Sequence, residues 1–417
     1  LTTAGVSSAS EALGNSENDG YENISASSRV GANFLADGRV DTTLQFDRGL
    51  TDIDGFQFGV GPVDVEDYTQ RRTRFSGRAA VSKPLTDWLT PKTYYSFSDE
   101  RLRGRNGNQP SDNFDIKSRV QEVGLENSLV FLEDMTTLLG YSFEHRHGEN
   151  IGNFEDSVSV HSFYLHNQFQ YEDWLSLGAG IRNDNHSTFS DETTFRLTAS
   201  ATVPVSQTRL HSSFGSGFRA PNFNELFFPG FGNLDLKPEK ALGYDVGVEQ
   251  ALFDERLIID VTFFHSLYRD LIDFDDATFT AININKANAY GFETTVDLEV
   301  CEQLSLRGSY TFTESENEAT GDLLPRRPRH DVSLTAFLDP VERLTASTTL
   351  FLVNSRVESS GENMDNYERV DAALSYEVAQ GFSPYVRFEN LFDQRYEELP
   401  GLTTPGFTAL GGVEFVW

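Results

Sequence analysis

Residues Leu304-Ser-Leu-Arg-Gly-Ser-Tyr-Thr-Phe312 alternate between two kinds of side chain. Leucine, glycine and aromatic residues occupy every second position, and serine, arginine and threonine occupy the positions between them. A period of two residues is typical of a β-strand with one apolar and one polar face. The same alternation recurs at 175–182 and 257–263, so this segment is one of many similar strands. The sequence therefore predicts an all-β fold.

Composition limits how such strands can assemble. Of the 417 residues 38% are hydrophobic, the mean hydropathy is -0.40, and no apolar run is long enough for a membrane-spanning helix. A membrane barrel remains compatible with this composition, because barrel strands alternate apolar and polar residues. The formal net charge of -31 argues against binding to nucleic acid.

The connections between the predicted strands alternate between short turns and long polar loops. After an opening remnant at Leu1–Val6 we expect about nineteen strands. Short turns are expected at 36–39, 83–87, 132–134, 204–207, 253–255, 301–303, 339–342 and 380–381, and longer loops at 51–67, 99–112, 147–155, 217–238, 315–324, 355–364 and 393–406. This alternation is typical of transmembrane antiparallel β-barrels of the outer membrane. A β-propeller would repeat every 40–45 residues or so, and the sequence has no such repeat.

In a membrane barrel each strand residue faces either the lipid or the lumen, and each turn lies on one side of the membrane. Apolar residues that should face lipid are Leu175, Leu177, Ile181, Leu257, Ile259, Val261 and Leu306 and, on the closing strand, Phe407, Ala409, Val413, Phe415 and Trp417. The single cysteine, Cys301, should lie on a short periplasmic turn. If strands upstream of Leu1 are absent, a gap should separate the first strand from Phe407–Trp417.

Two long segments resemble signatures of the TonB-dependent receptor family. They are Gly217–Lys240 (GFRAPNFNELFFPGFGNLDLKPEK) and Asn390–Glu397 (NLFDQRYE), the second followed by the closing strand. Further stretches are most similar to the vitamin B12 receptor branch, although some siderophore receptors share them: Gly14–Tyr21, Asp270–Asp276, Asn285–Glu293 and Leu324–His330. The resemblance covers essentially the whole chain.

This resemblance implies a barrel of about 22 strands, closed by an N-terminal plug that carries the TonB box. Residues 1–417 would be a partial C-terminal barrel domain, with the plug outside this chain. The implied function is TonB-driven uptake of a scarce nutrient such as cobalamin across the outer membrane of a Gram-negative bacterium. The implied partners are the TonB complex, the nutrient, outer-membrane lipid and lipopolysaccharide. The alternatives are a ferric-siderophore or haem receptor and, in another class, a passive porin or a non-transporting scaffold.

The candidate ligand-binding residues lie in and beside the longest loop: Arg219, Asn222, Phe223, Phe227, Phe228 and Phe231. Exposed rings can offer a flat apolar surface to a large ligand. The same rings can instead pack as the loop's own small core, and both interpretations stay open. For Arg219 we favour a structural role, in which it ties the loop to neighbouring acidic residues.

Acidic residues of the first two long loops are candidate calcium ligands: Glu17, Asp19, Asp47 and Asp54. Calcium takes six to eight oxygen ligands, which carboxylate-rich loops can supply. The vitamin B12 receptors order equivalent loops with calcium, so the resemblance implies the same here. The alternative is a solvated acidic rim without a metal, and no covalent cofactor is expected.

Two histidines, His145 and His147, lie at alternate positions of one predicted strand. Without a third ligand in sequence they favour a polar lumen or loop position over a transition-metal site. The chain also has no nucleophile elbow and no glycine loop of the phosphate-binding type. The sequence therefore predicts a protein that is not an enzyme.

Overall fold

The computed structural model describes residues 2–6, 19–35, 37–57, 61–63, 65, 67–275, 278–284 and 286–416. Within them the chain forms a 3-10 helix at Pro110–Asp112, one short α-helix, α1 (Phe223–Phe227), and many β-strands. The strands are β1 (Thr2–Val6), β2 (Asp19–Phe34), β3 (Gly38–Asp52), β4 (Gly55–Gln57), β5 (Gly61–Val63), β6 (Tyr68–Ser82), β7 (Leu89–Asn106), β8 (Phe114–Leu132), β9 (Met135–Asn150), β10 (Phe154–Tyr171), β11 (Leu175–His186), β12 (Glu192–Val203), β13 (Thr208–Arg219), β14 (Glu239–Leu252), β15 (Leu257–Arg269), β16 (Ile272–Asp275), β17 (Thr280–Asn283), β18 (Ala287–Cys301), β19 (Leu304–Asn317), β20 (His330–Val341), β21 (Leu344–Asn354), β22 (Arg356–Val357), β23 (Asn363–Met364), β24 (Tyr367–Tyr376), β25 (Phe382–Glu389), β26 (Glu397–Leu399), β27 (Leu402–Thr403) and β28 (Thr408–Phe415).

Twenty of these strands form one antiparallel sheet. Each strand pairs with its neighbours in sequence order, from β1 with β2 to β25 with β28. The prediction of nineteen strands after a remnant is therefore confirmed. In the described part of the chain no pairing joins β1 to β28. The remaining strands form four small hairpins in the long loops, β4–β5, β16–β17, β22–β23 and β26–β27.

The two faces of the sheet differ as the alternation predicts. Leu177, Ile181 and Val261 are exposed on an apolar face, and Leu177 lies directly opposite Phe169 of the next strand. Leu175, Leu257, Ile259 and Leu306 are half-exposed and occupy the same face. The opposite face of the sheet carries buried side chains, and on β7, β9 and β10 these include Tyr94, Ser142, Val158, Val160 and Ser162. The apolar face is the outer, lipid-facing surface.

The inner face is identified independently by the longest loop. Its residue Phe223 contacts Phe154 and lies against Gly148. Phe154 and Gly148 share a face with the buried Val158 and Ser142, because residues two apart in a strand point to the same side. The loop between β13 and β14 is therefore folded into the mouth of the barrel.

Short and long connections fall at opposite ends of the sheet. The short ones are 35–37, 83–88, 133–134, 172–174, 204–207, 253–256, 302–303, 342–343 and 377–381. Cys301 ends β18, is exposed and precedes the turn 302–303, so it lies at the short-turn end as predicted. The turn at 172–174 was not predicted. No helix among the described residues is long and apolar enough to cross a membrane.

Several strands extend further than predicted. The predicted loops 99–112 and 147–155 are wrong in extent, because β7 continues to Asn106 and β9 continues to Asn150. The neighbouring strand β8 has 19 residues, whereas a strand needs only about 9–11 to cross a membrane. The wall built by β7 to β10 therefore projects beyond the lipid, where both faces of a strand are polar and the apolar alternation stops.

Candidate functional site at the long-loop end

Two long loops form one structural unit over the mouth of the barrel. We call it the two-loop platform and define it as residues 220–238 and the described part of 270–286. Its first loop contains α1, whose start is fixed by Asn222 and Glu225. The backbone N–H of Glu225 donates to Asn222 Oδ1 at 2.9 Å, and the N–H of Asn222 donates to Glu225 Oε2 at 2.7 Å. This reciprocal capping satisfies N–H groups that a helix start otherwise leaves free.

Arg219 anchors the platform to the barrel. Its guanidinium donates to both carboxylate oxygens of Glu239, at 2.7 Å each, and to Glu225 at 3.1 Å. Glu239 also accepts the backbone N–H of Ile272 from the second loop at 2.9 Å. Arg219 thus makes the ion pairs that the favoured structural role requires, joining the strand ends to α1 directly and to the second loop through Glu239, while its contact with a ligand stays a prediction.

The aromatic rings of the first loop pack mainly with one another and with neighbouring elements. Phe223 and Phe227 have ring centroids 5.8 Å apart, and both contact Phe154 of the barrel wall. Phe231 stacks on Phe274 of the second loop at 5.9 Å. For Phe223, Phe227 and Phe231 the structure shows the packing that a small loop core requires.

Backbone and side-chain hydrogen bonds join the two loops. The N–H of Ala281 donates to the carbonyl of Phe231 at 2.9 Å, and Asn233 Nδ2 donates to the carbonyl of Ala281 at 2.9 Å. The completely buried Ala281 packs with Leu226 and Leu236. The platform therefore has a hydrophobic core of its own.

Other rings of the platform remain accessible. Phe228 is half-exposed and its N–H closes α1 on the carbonyl of Asn224. Phe274 and Phe279, in the second loop, are 42% and 60% exposed. Neither of these last two residues was predicted to bind a ligand, although they lie in and next to the segment Asp270–Asp276, which carries part of the family resemblance. Together the three rings give the platform an accessible aromatic surface.

A polar cavity of about 360 Å³ lies on the inner face beside the platform. Its lining includes Glu122, Glu144, Arg146, Arg182 and His186. Within it Arg182 Nη2 donates to Ser162 Oγ at 2.8 Å and ion-pairs with Asp184 at 2.8 Å. Such a lumen offers both donors and acceptors to a polar ligand that passes the platform.

Two other long loops are joined by an ion pair at the same end of the barrel. Arg326 donates to Glu358 through Nε at 2.9 Å and through Nη2 at 2.5 Å. The hydrogen bonds from this guanidinium lower the pKa of the Glu358 carboxyl to about 2. The Arg326 N–H also donates to the carbonyl of Val357 at 2.7 Å, so the contact is local and specific.

The candidate calcium ligands are only partly brought together. Asp19 is buried at the start of β2, and the N–H of its neighbour Gly20 donates to Asp52 at 3.0 Å. Asp54 lies just beyond β3, whereas Asp47 lies within β3 opposite Ser25 and Arg74. Seven residues of extended chain separate Asp47 from Asp54 by about 20 Å. Glu17 lies outside the described residues, which contain no group of three or more potential metal-ligating side chains.

The two histidines of β9 lie neither in the lumen nor in a loop. His145 and His147 each hydrogen-bond a serine of β10, Ser159 and Ser157, at 3.1 Å. Residue His147 is directly opposite Arg119 of β8, on the outer face of the wall. The lumen or loop position predicted for this pair is therefore wrong, because β9 continues as a regular strand through both residues.

Comparison with known proteins identifies the barrel. The family described as TonB dependent receptor-like, beta-barrel matches residues 4–391. The vitamin B12 transporter BtuB of Photobacterium profundum is 23% identical over 390 residues, which cover 91% of this chain and 62% of that protein. The BtuB of Vibrio vulnificus is 29% identical over 223 residues, which cover 52% of this chain and 36% of that protein.

A solved structure shows the same fold at lower sequence identity. The ferric enterobactin receptor PfeA of Pseudomonas aeruginosa superposes with a TM-score of 0.78 over 96% of this chain and 70% of that one, at 16% identity. The chain spans less than two thirds of the length of the BtuB proteins that it matches. Because the family match covers most of the chain, the chain belongs to the TonB-dependent receptor β-barrels, non-enzymatic proteins of the Gram-negative outer membrane.

Proposed function

We propose that this barrel is the transmembrane part of a receptor that imports a cobalamin, with energy supplied through TonB. The observation that supports this most is the similarity to a vitamin B12 transporter along 91% of the chain. The siderophore receptor PfeA shares the fold at 16% identity, which carries no information about the ligand.

The platform suits the capture of a large ligand with both apolar and polar parts. The accessible rings of Phe228, Phe274 and Phe279 provide apolar contact, and the polar cavity, which reaches the platform at Ala220, provides hydrogen-bonding groups. Aromatic rings contribute a large contact area with little loss of side-chain entropy. Arg219, Asn222, Phe223, Phe227 and Phe231 hold this surface in shape.

The test uses cells that express the gene encoding this chain in place of their own cobalamin receptor. Labelled cobalamin should bind and be imported, and import should stop when TonB is deleted while binding persists. Preferential binding of a ferric siderophore or of haem would overturn the choice of ligand. Import that is independent of TonB and does not saturate would instead indicate a passive porin.

A loop cation is part of the same proposal. Calcium bound by Asp19 and Asp54, with Glu17, would order the rim before the ligand arrives and so strengthen its capture. Ligand affinity should then fall on chelation of calcium and in the Asp19→Asn variant. Asp47→Asn is the matched control, because Asp47 lies about 20 Å away along the chain. Equal affinity with and without calcium would identify a solvated acidic rim.

A further inference from the structure

A cavity of about 410 Å³ lies on the inner face of the wall built by β2, β3, β6 and β7. Its lining includes three arginines, Arg29, Arg74 and Arg78, and, among the described residues, no carboxylate. We call these three side chains the inner arginines. The chain as a whole has a formal net charge of -31. A cavity of the opposite charge inside such a barrel calls for a physical explanation.

The strand register shows that the inner arginines face the lumen. The guanidinium carbon of Arg78 lies 4.0 Å from the ring centre of Tyr94, which is on the inner face. Arg74 is on the same strand and shares the face of Arg78, because side chains two and four residues apart in a strand point to the same side. Arg29 belongs to this face as well, since Thr43 lies directly opposite both Arg29 and Arg78.

The cavity lies at the height of an aromatic pair on the outside of the barrel. Phe75 and Phe97 have ring centroids 5.2 Å apart, and Phe97 is flanked by Ser96 and Ser98, which line the cavity. Aromatic girdles of outer-membrane barrels lie at the boundaries of the lipid. Because β7 starts from a short turn at Leu89 and about 9–11 residues cross a membrane, this pair marks the boundary at the long-loop end. The cavity is therefore inside the barrel near that boundary.

Two of the inner arginines have no close ion pair. Asp41 accepts two hydrogen bonds from Arg39, at 2.6 and 2.7 Å, whereas Arg29 approaches it only to 4.0 Å and is 75% exposed. Arg78 packs on the ring of Tyr94 and has no carboxylate partner in the part of the chain that the structure describes. The guanidinium donors of both side chains therefore remain available to a ligand.

Arg74 is not neutralised either, although carboxylates are near it. It lies directly opposite Asp47 and Glu100. Asp47 accepts a hydrogen bond from Gln45 at 2.9 Å, and Glu100 accepts one from Arg72 at 2.8 Å. The Nε atom of Arg74 is enclosed and has no hydrogen-bond partner among the described residues. A third guanidinium is thus free to bind an anion.

Neutral hydrogen-bonding groups lie between the inner arginines. One row across four neighbouring strands, which we call the polar floor, consists of Ser27, Gln45, Ser76 and Ser98. The next row towards the short turns consists of Arg29, Thr43, Arg78 and Ser96. Arg74 lies two residues from Ser76 on the long-loop side. Because neighbouring strands are about 4.8 Å apart, guanidinium groups flank the polar floor on two sides within reach of one small ligand.

Another wall of the lumen carries the opposite charge. On β14, β15 and β18 the inward side chains include Asp245, Asp260 and Glu293. Asp260 is inward because its neighbour Val261 is exposed on the outer face. The positive cavity is therefore a property of one wall and not of the lumen as a whole.

We propose that the inner arginines and the polar floor bind a phosphate-type oxyanion inside the barrel, either as the free ion or as the phosphate ester of a small hydroxylated solute. Guanidinium groups bind phosphate through two parallel hydrogen bonds, and serine hydroxyls and an amide donate to the remaining oxygens. A bound anion also relieves the repulsion between the three cations. Cavities of about 300–1,000 Å³ hold small organic ligands, so this one has room for the organic part of an ester.

The first experiment compares solutes that differ in phosphate. The full-length receptor, purified in detergent at low ionic strength, is titrated by calorimetry with inorganic phosphate, with glucose 6-phosphate and with glucose. We expect each phosphate to bind at least about tenfold more tightly than glucose. Tighter binding of glucose 6-phosphate than of inorganic phosphate would support the ester, and equal binding would support the free ion. No binding of either phosphate, or equal binding of glucose, would overturn the proposal.

The diagnostic variants are Arg74→Gln and Arg78→Gln. Neither deprives a described carboxylate of an ion-pair partner, so the barrel should fold normally. Each should lower the affinity for phosphate about tenfold, because a charge-assisted hydrogen bond is lost. Arg196→Gln is the matched control, an exposed arginine on the inner face of β12 without an ion pair among the described residues. An equal loss in the control, or unchanged affinity in both diagnostic variants, would contradict the proposal.

A third variant tests the polar floor without a change of charge. Ser76→Ala removes one hydroxyl and should lower the affinity for phosphate about threefold. Ser76→Thr keeps the hydroxyl and should bind like the wild type. Unchanged affinity in Ser76→Ala would show that the polar floor does not contact the anion, and that part of the proposal would be wrong.

Discussion

Two regions of this barrel differ in the ratio of arginine to carboxylate side chains in their ion-pair clusters. Where the two-loop platform joins the barrel, the guanidinium of Arg219 pairs with two carboxylates, those of Glu225 and Glu239. On the outer face of β7 and β8 the guanidinium groups of Arg101, Arg103 and Arg105 share the single carboxylate of Asp115. The first arrangement leaves one negative charge in excess, whereas the second leaves two positive charges in excess.

This difference separates a structural arginine from one that is available to a ligand. A guanidinium whose donors are all used by carboxylates holds elements together and offers little to an incoming anion. Guanidinium groups in excess repel one another, and an added anion relieves that repulsion. The surrounding carboxylates therefore say more about the role of an arginine than its exposure does, since Arg101 and Arg219 are similarly exposed, at 39% and 44%.

The largest effect should follow from Arg219→Ala. The substitution leaves the partly buried carboxylates of Glu225 and Glu239 without their cation, at a cost of about 1–3 kcal/mol to the platform. Hydrogen exchange of amides 222–239 should accelerate, and ligand affinity should fall about tenfold or more. In Arg387→Ala, where the pair with Glu389 is long at 3.9 Å, both quantities should stay unchanged. An unaltered exchange pattern in Arg219→Ala would show that the platform does not depend on this arginine.

A smaller effect on the same unit is expected from Asn222→Ala. Loss of an N-cap side chain costs about 1 kcal/mol, because the N–H of Glu225 loses its acceptor Asn222 Oδ1, whereas the backbone N–H of residue 222 can still donate to Glu225. Exchange should accelerate in α1 and much less in β16–β17, which the hydrogen bonds of Ala281 and Asn233 still hold. Asn222→Asp keeps the accepting oxygen and should behave like the wild type. Equal acceleration in both variants would assign the effect to charge instead of capping.

A comparable local effect is expected on the outer face of the barrel from Asp115→Asn. The substitution leaves Arg101, Arg103 and Arg105 without their shared anion, so their mutual repulsion should destabilise the ends of β7 and β8. Hydrogen exchange of amides 101–106 should accelerate, and it should change less in Asp99→Asn, which removes the partner of Arg119. Equal exchange in the wild type and in Asp115→Asn would show that the three guanidinium groups do not depend on this carboxylate.

The sequence predicted much of the fold because apolar and polar residues alternate clearly in the parts of the strands that cross the lipid. The prediction failed at the long-loop ends of the strands, where residues 99–106 were assigned to a loop. Both faces of the strand are polar there, and only the arginines at alternate positions (Arg101, Arg103, Arg105) indicated a strand. That pattern would also have revealed the cluster of arginines on the outer face of β7. In the platform the role of Arg219 was predicted, whereas Phe274 and Phe279 were missed because the contact between the two loops is tertiary.

The smallest expected effect concerns the Arg326–Glu358 pair. The pKa of Glu358 is lowered to about 2, from an ordinary 4.5, chiefly by the hydrogen bonds from Arg326. Because the pKa of Glu358 is lowered, its ion pair with Arg326 stabilises the contact between the two loops at pH values above 4.5. This stabilisation is lost as the pH falls from 4.5 towards 2. Because Arg326 is 45% exposed, solvent screens the pair and the effect on the whole barrel should be slight.

The measurement follows the carboxyl carbon resonance of Glu358 in ¹³C-glutamate-labelled protein, which should titrate with a midpoint near pH 2. In Arg326→Gln the midpoint should return towards the ordinary range. The signal is assigned through its absence from the spectrum of Glu358→Gln. A wild-type midpoint near 4.5 would show that the two loops do not hold this pair in solution.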